Sequence, residues 1–212
     1  MKTDAETLGR VVEFHGHMCP GLALGVRAAE VALEQIGPHS QDEEVVAIVE
    51  TDMCGVDAVQ FLTGCTFGKG NLVHRDHGKN VYTFVRRSDG QALRVSGRPG
   101  ALGAPDAQWE ELFAKVRTGM ATSDERRHFW EVQQQRSKGI LAAPVDELYD
   151  VRRVEVDAPP NARILASVAC AGCGEPTMET RIRRLDGQDF CVPCFDSALS
   201  GTTAIGPPRT RR

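Results

Sequence analysis

Five side chains in the first third of the chain are of types that hold metal ions or act as nucleophiles: His15, His17, Cys19, Cys54 and Cys65. His15, His17 and Cys19 are spaced two residues apart, so an extended or turning segment can aim all three in one direction. Cys19 and Cys54 each stand just before a predicted helix, where free amides and the macrodipole favour a thiolate. Imidazole together with thiolate suits zinc or another late transition metal. Cys54 and Cys65 are 11 residues apart. On one continuous helix they would share a face but lie roughly 16 Å apart along its axis. Both can reach one ion only if the helix ends early and Gly64 turns the chain back, so Cys54 is the preferred partner of His17 and Cys19. The competing reading is a buried cysteine beside ordinary turn histidines, because free cysteine is among the most buried residue types. Spacing leaves those two readings level. Asp57 also has two readings, an acceptor that orients an imidazole and an acid at a helix N-terminus; the second is the expectation.

The last fifty residues carry a second set. Cys170-Ala171-Gly172-Cys173 and Cys191-Val192-Pro193-Cys194 are two Cys-x-x-Cys turns with 17 residues between them. Each turn brings two sulfurs to one side, and two such turns supply the four thiolates of a closed structural zinc site at about 2.3 Å. Thr177 to Phe190 alternates about Asp186-Gly187, as a zinc-ribbon hairpin requires, and Phe195 to Leu199 begins a small helix. A segment with so little core of its own is expected to fold only with metal. Two separate redox-active pairs are the less favoured reading.

The intervening elements must position these groups. Leu8, Val11 and Val12 suggest a short helix ending near Phe14. His15 to Gly21 reads as a turn. Pro20 suits the first turn of a helix running to about Ile36, which Gly37-Pro38 stops. Glu44 to Glu50 reads as a buried strand, Cys54 to Thr63 as a helix, and Gly64 to Asn71 as a Gly-rich loop. That loop is not a nucleotide-hydrolysing P-loop: three residues, not four, precede Gly68-Lys69, and Gly70 follows. Lys69 could still hold an anion or a carboxylate. His74, Asp76 and His77 are expected to decorate an exposed loop. Val81 to Arg87 and Ala92 to Val95 read as a hairpin through Ser88-Asp89-Gly90. A loop is expected at 97–105, helices over Asp106 to Arg117 and Ser123 to Lys138 (the latter closed by Gly139), a turn at Val145 to Tyr149, and a strand over Val151 to Val156. The mixture lacks a strict βαβ rhythm, so an α+β fold is expected: a mixed β-sheet core packed with helices over residues 1–157, a small zinc-ribbon or treble-clef-like domain over 158–200, and a flexible tail over 201–212.

Totals narrow the function classes. The 212 residues carry a net charge of −4, which gives no general bias toward nucleic acid. From Asn161 onward seven Arg and no Lys face five acidic residues, +2, leaving −6 for the preceding part. Arg181, Arg183, Arg184 and the terminal Arg209-Thr210-Arg211-Arg212 motivate a nucleic-acid or interaction module only weakly. No apolar run reaches the roughly 18 residues of a membrane span, and MKTDAETLGR lacks an apolar signal core. Seven cysteines, four of them in Cys-x-x-Cys pairs, argue for thiolate chemistry in a reducing compartment. A cytoplasmic location is expected.

Three ordered motifs resemble the FmdE family, named for the E component of formylmethanofuran dehydrogenase: Phe14-His15-Gly16-His17-Met18-Cys19-Pro20-Gly21, Glu50-Thr51-Asp52-Met53-Cys54-Gly55-Val56-Asp57-Ala58-Val59-Gln60, and Thr63-Gly64-Cys65-Thr66-Phe67-Gly68-Lys69-Gly70-Asn71-Leu72. The resemblance covers about residues 8 to 98, more loosely to about Tyr149. It implies an α+β core, often a homodimer, with a metal site whose ligands carry over to His17, Cys19 and Cys54, with His15 and Cys65 nearby. It further implies zinc or another transition metal in that core, and a larger redox enzyme complex as partner. The family takes its name from a molybdenum or tungsten enzyme that reduces carbon dioxide onto methanofuran. No pterin or iron–sulfur binding pattern is recognisable here, so this chain alone is not expected to be the dehydrogenase catalyst. Three functions follow as expectations: an accessory or metal-handling protein of molybdenum- or tungsten-dependent one-carbon metabolism, a stand-alone zinc-dependent enzyme, and a zinc-ribbon interaction module.

Overall fold

A computed structural model describes residues 2–101 and 107–201. The chain forms two compact units, residues 1–162 and 163–212. In the first, α1 (Ala5–His15) and α2 (Pro20–Gln35) precede β1 (Val45–Val49), α3 (Gly55–Thr63) and β2 (Leu72–His74). Then come β3 (Val81–Arg86), β4 (Ala92–Gly97), α4 (Ala107–Arg117), α5 (Ser123–Ala142), α6 (Val145–Leu148) and β5 (Tyr149–Val154). One five-stranded sheet has the order β2-β1-β3-β4-β5. β1 and β2 are parallel, linked through α3, and every other pair is antiparallel. The fold is therefore α+β with a mixed sheet.

The order follows from the residues. β1 is Val-Val-Ala-Ile-Val, buried at every position, and forms a central strand facing core on both sides. α2 starts where Pro20 costs no hydrogen bond and where the Cys19 sulfur accepts the Leu22 amide at 3.4 Å. Its Leu22, Val26 and Ala29 are fully buried. α2 and α3 approach closely because both present glycine at the crossing. A Cβ on Gly25 would lie 2.2 Å from the Gly55 carbonyl oxygen, closer than any side chain tolerates. That crossing brings the starts of the two helices together, and with them Cys19 and Cys54.

Several boundaries differ from expectation. α5 does not close at Gly139 but continues to Ala142, because Ile140 is buried in the core and packing outweighs the local cost of glycine. Its start is fixed by a Thr122–Glu125 capping box, one residue before the expected Ser123. β2 was not expected; it is three residues long and joins the sheet only through β1. Residues 158–162 belong with the first unit, where the Ala162 amide donates to Glu43 and Arg87 donates to the Pro159 carbonyl. Residues 102–105 of the loop expected at 97–105 and all but Gly201 of the expected tail lie outside the described residues.

In the second unit, β6 (Ser167–Ala169) pairs with β7 (Pro176–Met178), a 3-10 turn spans Glu179–Arg181, and β8 (Ile182–Leu185) pairs with β9 (Gln188–Cys191) before α7 (Val192–Ser200). Asp186 and Gly187 both take positive φ, 50° and 77°, the geometry of a two-residue hairpin turn. Among the described residues no helix is long and apolar enough to cross a membrane.

Candidate metal centres

In the first unit the end of α1, the turn after it and the start of α2 converge. His15 closes α1, and Gly16, at φ 94°, turns the chain away. The ligand atoms of His15, His17 and Cys19 all lie within 4.8 Å of one another. An ion bound at about 2.0–2.3 Å needs ligand atoms less than about 4 Å apart, so a small contraction completes a three-ligand site.

His15 is the most informative member. Its Nδ1 lies 2.7 Å from Asp57 Oδ2, and its side chain is 11% exposed. A carboxylate accepts, so Nδ1 donates, and in the neutral ring Nε2 then keeps its lone pair. That Nε2 is buried and has no hydrogen-bond partner among the described residues. An unmatched buried acceptor costs on the order of 1–3 kcal/mol, whereas an imidazole held by a carboxylate is the usual arrangement of a metal ligand. The donor set and the bare nitrogen fit a metal ion. Asp57 fills both of its sequence roles: it sits in the first turn of α3 and fixes the His15 ring. The expectation that its part was only at the helix terminus is corrected. Nothing in sequence singled out Trp130, whose ring meets His17 edge-on at 5.7 Å.

The other expected ligands divide. Cys54 is half-buried beside Cys19, and a Cβ on Gly21 would lie 3.8 Å from the Cys54 sulfur and 3.9 Å from that of Cys19. It is not, however, within 4.8 Å of all three ligand atoms. Burial, then the adjacent Cys19, pushes its thiol above the ordinary cysteine value; a bound cation would reverse that preference. Cys65 is elsewhere. It is fully buried in the core between α2 and the sheet, and its thiol donates to the Val45 carbonyl at 3.3 Å. Burial raises its pKa as well. As a nearby ligand it is replaced by His15, because the end of α3 is remote from its start.

Lys69 is tied to backbone oxygens of the loop before β1. Its ammonium donates to the carbonyls of Ser40 at 2.8 Å and Asp42 at 3.2 Å. His74 lies on β2 and His77 Nδ1 is 3.2 Å from Glu50, a buried carboxylate that also pairs with Arg94. Neither histidine joins a ligand cluster among the described residues.

In the second unit Cys170, Cys173, Cys191 and Cys194 place their sulfurs within 4.8 Å of one another. Cys170 follows β6, Cys191 ends β9, and Cys194 lies in the first turn of α7. The Cys170 sulfur accepts amides from Gly172 at 3.3 Å and Cys191 at 3.2 Å. Burial works against its thiolate, but amide donors from Cys191, Cys173 and Gly172 outweigh it and bring the thiol down to about 6. Burial and the neighbouring sulfurs push Cys194 up to about 12. Four sulfurs in such opposition are reconciled by a cation at their centre. Gly172 is obligatory, since a Cβ there would lie 2.9 Å from both Cβ and Sγ of Cys194.

Comparison with known proteins agrees with this division. Residues 163–198 match the prokaryotic dksA/traR C4-type zinc finger model. A probable S-adenosyl-L-methionine-binding protein of Archaeoglobus fulgidus is 38% identical over 198 residues, covering 89% of this chain and 52% of that protein. The chain thus spans about half the length of that relative. A tungsten formylmethanofuran dehydrogenase FmdE-like protein from Syntrophus aciditrophicus shares the fold at TM-score 0.60 and 23% identity, covering 94% of each chain. Residues 14–150, which contain the His–Cys cluster and nearly all of the sheet, match the model described as FmdE, molybdenum formylmethanofuran dehydrogenase operon, and the chain belongs to that family.

Proposed function

We propose that this chain is a metal-binding accessory protein of molybdenum- or tungsten-dependent one-carbon redox metabolism. His15, His17 and Cys19 hold a transition metal in the first unit and Cys54 completes the set. Cys170, Cys173, Cys191 and Cys194 hold a structural zinc in the second. The observation that carries the reading is the buried, bare Nε2 of His15, on a ring held by Asp57 and clustered with His17 and Cys19. Two nitrogens and one or two sulfurs favour zinc or another late transition metal over magnesium or calcium. Family membership supports the metabolic setting. The reading includes a homodimer, a larger redox enzyme as partner and a cytoplasmic location. Affinity isolation of the tagged chain from its native host tests it: a molybdenum- or tungsten-containing oxidoreductase should copurify. Isolation of the chain alone, with no metal in the His–Cys centre, would overturn it.

A second reading, a stand-alone enzyme, draws on the exposure of His17. Three ligands leave one position for water or substrate, where a bound zinc would act as a Lewis acid. A Cys54→Ala protein that keeps its fold and its turnover on any identified substrate would remove Cys54 from such a mechanism.

A further inference from the structure

The Gly64–Asn71 motif is not used by either metal centre, yet it is firmly held. Asn71 is fully buried, and its amide donates to the carbonyls of Val45 at 2.9 Å and Asp42 at 3.2 Å. Its Oδ1 accepts the Thr66 amide at 2.9 Å, and Gln60 accepts the Phe67 amide at 3.2 Å. These bonds pin a loop whose tip presents Phe67 at 76% exposure. An exposed ring on its own is ordinary, but this one stands beside other exposed apolar groups at a cleft.

That loop forms one wall of a cleft of about 1030 Å³, enclosed further by α1, the end of α3 and part of α2. Its size is that of a small-molecule site. Phe14 and Phe61, with centroids 5.8 Å apart, form a second aromatic wall. The charges in the cleft do not cancel. Glu30 is neutralised by Arg27, and the Asp4 carboxylate, though it keeps its charge, is turned to the Thr7 amide and hydroxyl, each at 2.9 Å. Two cations outnumber it. Arg10 lies 5.4 Å from the centre of the Phe61 ring and pairs with no carboxylate among the described residues. Lys69 gives two of its three donors to carbonyls, which leave its charge intact.

We propose that this cleft binds a small anion with a planar apolar body, an aryl carboxylate or aryl phosphate. Its ring lies among Phe14, Phe61 and Phe67, its anionic group on Arg10, and Lys69 adds uncompensated positive charge. Preformed walls favour such a ligand because little order has to be gained on binding. The site shares its wall with the metal centre: Phe14 precedes His15, and Phe61 lies one helical turn beyond Asp57. It stands whether or not that centre is loaded.

Calorimetric titration of the full chain with phenyl phosphate, benzoate, benzamide and inorganic phosphate tests the proposal. Phenyl phosphate or benzoate should bind one per chain, the tighter of the two showing which anion is meant. Benzamide should bind at least about tenfold more weakly, having lost the hydrogen bond to a charged group, and inorganic phosphate at least about tenfold more weakly, having no ring to bury. Arg10→Gln and Phe67→Ser should each weaken the aryl anion, Arg10→Gln by about tenfold, with unchanged thermal unfolding because both side chains project from the surface. Saturation by neither aryl anion, equal binding of benzamide, or undiminished binding to Arg10→Gln would overturn it. So would a dimer that Phe67→Asp dissociates while no probe binds, because the cleft would then be the face of a second copy.

Discussion

Replacing Asp57 by Asn probes the His15 nitrogen without touching a ligand. The amide oxygen can still accept from Nδ1 across the 2.7 Å contact, so ring orientation survives while the negative charge behind the imidazole is lost. Partners of this kind contribute roughly 10–100-fold to metal affinity, or about 1.4–2.7 kcal/mol. The Asp57 side chain is 38% exposed, so solvent screens its charge and Asp57→Asn belongs at the lower end, about tenfold. Asp57→Ala also frees the ring and should approach about a hundredfold. The assay is chelator competition on cobalt-loaded protein, where the absorption of a nitrogen–sulfur site separates from that of a four-sulfur site. Only the nitrogen–sulfur site should weaken. If Asp57→Ala left its affinity within about twofold, the carboxylate–imidazole–metal argument would fail.

Gly25→Ala normally helps a helix, but here the new Cβ meets the Gly55 backbone. Urea unfolding should show a loss of about 2–3 kcal/mol, and a neutral result would mean the α2–α3 crossing is looser than described. Gly172→Ala should abolish tight zinc binding by the second unit while the first unit keeps its thermal transition, a result read by calorimetry and metal content together. Arg94 holds the buried Glu50 carboxyl below the ordinary glutamate value, against the opposing effect of burial. A lowered folded pKa stabilises above the unfolded value and is lost as pH falls through the folded one. Arg94→Leu should therefore cost about 2 kcal/mol near neutral pH, moderated because Arg94 is a third exposed, and the deficit should shrink below about pH 4. A deficit that grows on acidification would reverse the assignment.

What sequence disclosed, and what it withheld, follows the range of the interactions. α2 was legible because Pro20 and Gly37-Pro38 punctuate an apolar run, β1 because five consecutive buried aliphatics admit little else, and the C-terminal four-thiolate cluster because Cys-x-x-Cys spacing is itself the geometry. The His15–Asp57 contact joins residues 42 positions apart, and the packing of α1 on α3, seen also in the Phe14–Phe61 ring contact, brings them together. No local pattern encodes it, so His15 ranked behind Cys54 when the structure places it first. Cys65 was grouped with the site by motif, yet the length of α3 carries it into the opposite core. α5 ran past Gly139 because burial of Ile140, a tertiary event, overrode a local stop signal.

Two independent ion sites in one chain are the central claim. Metal content of the full-length protein, measured by mass spectrometry beside Cys170→Ser/Cys173→Ser and His15→Ala/Cys19→Ser double variants, tests it most directly. Two equivalents in the parent, falling to one in each variant, is the predicted result. A single equivalent in the parent that disappears only with the C-terminal pair would show the His–Cys cluster to be an ordinary turn over a buried thiol.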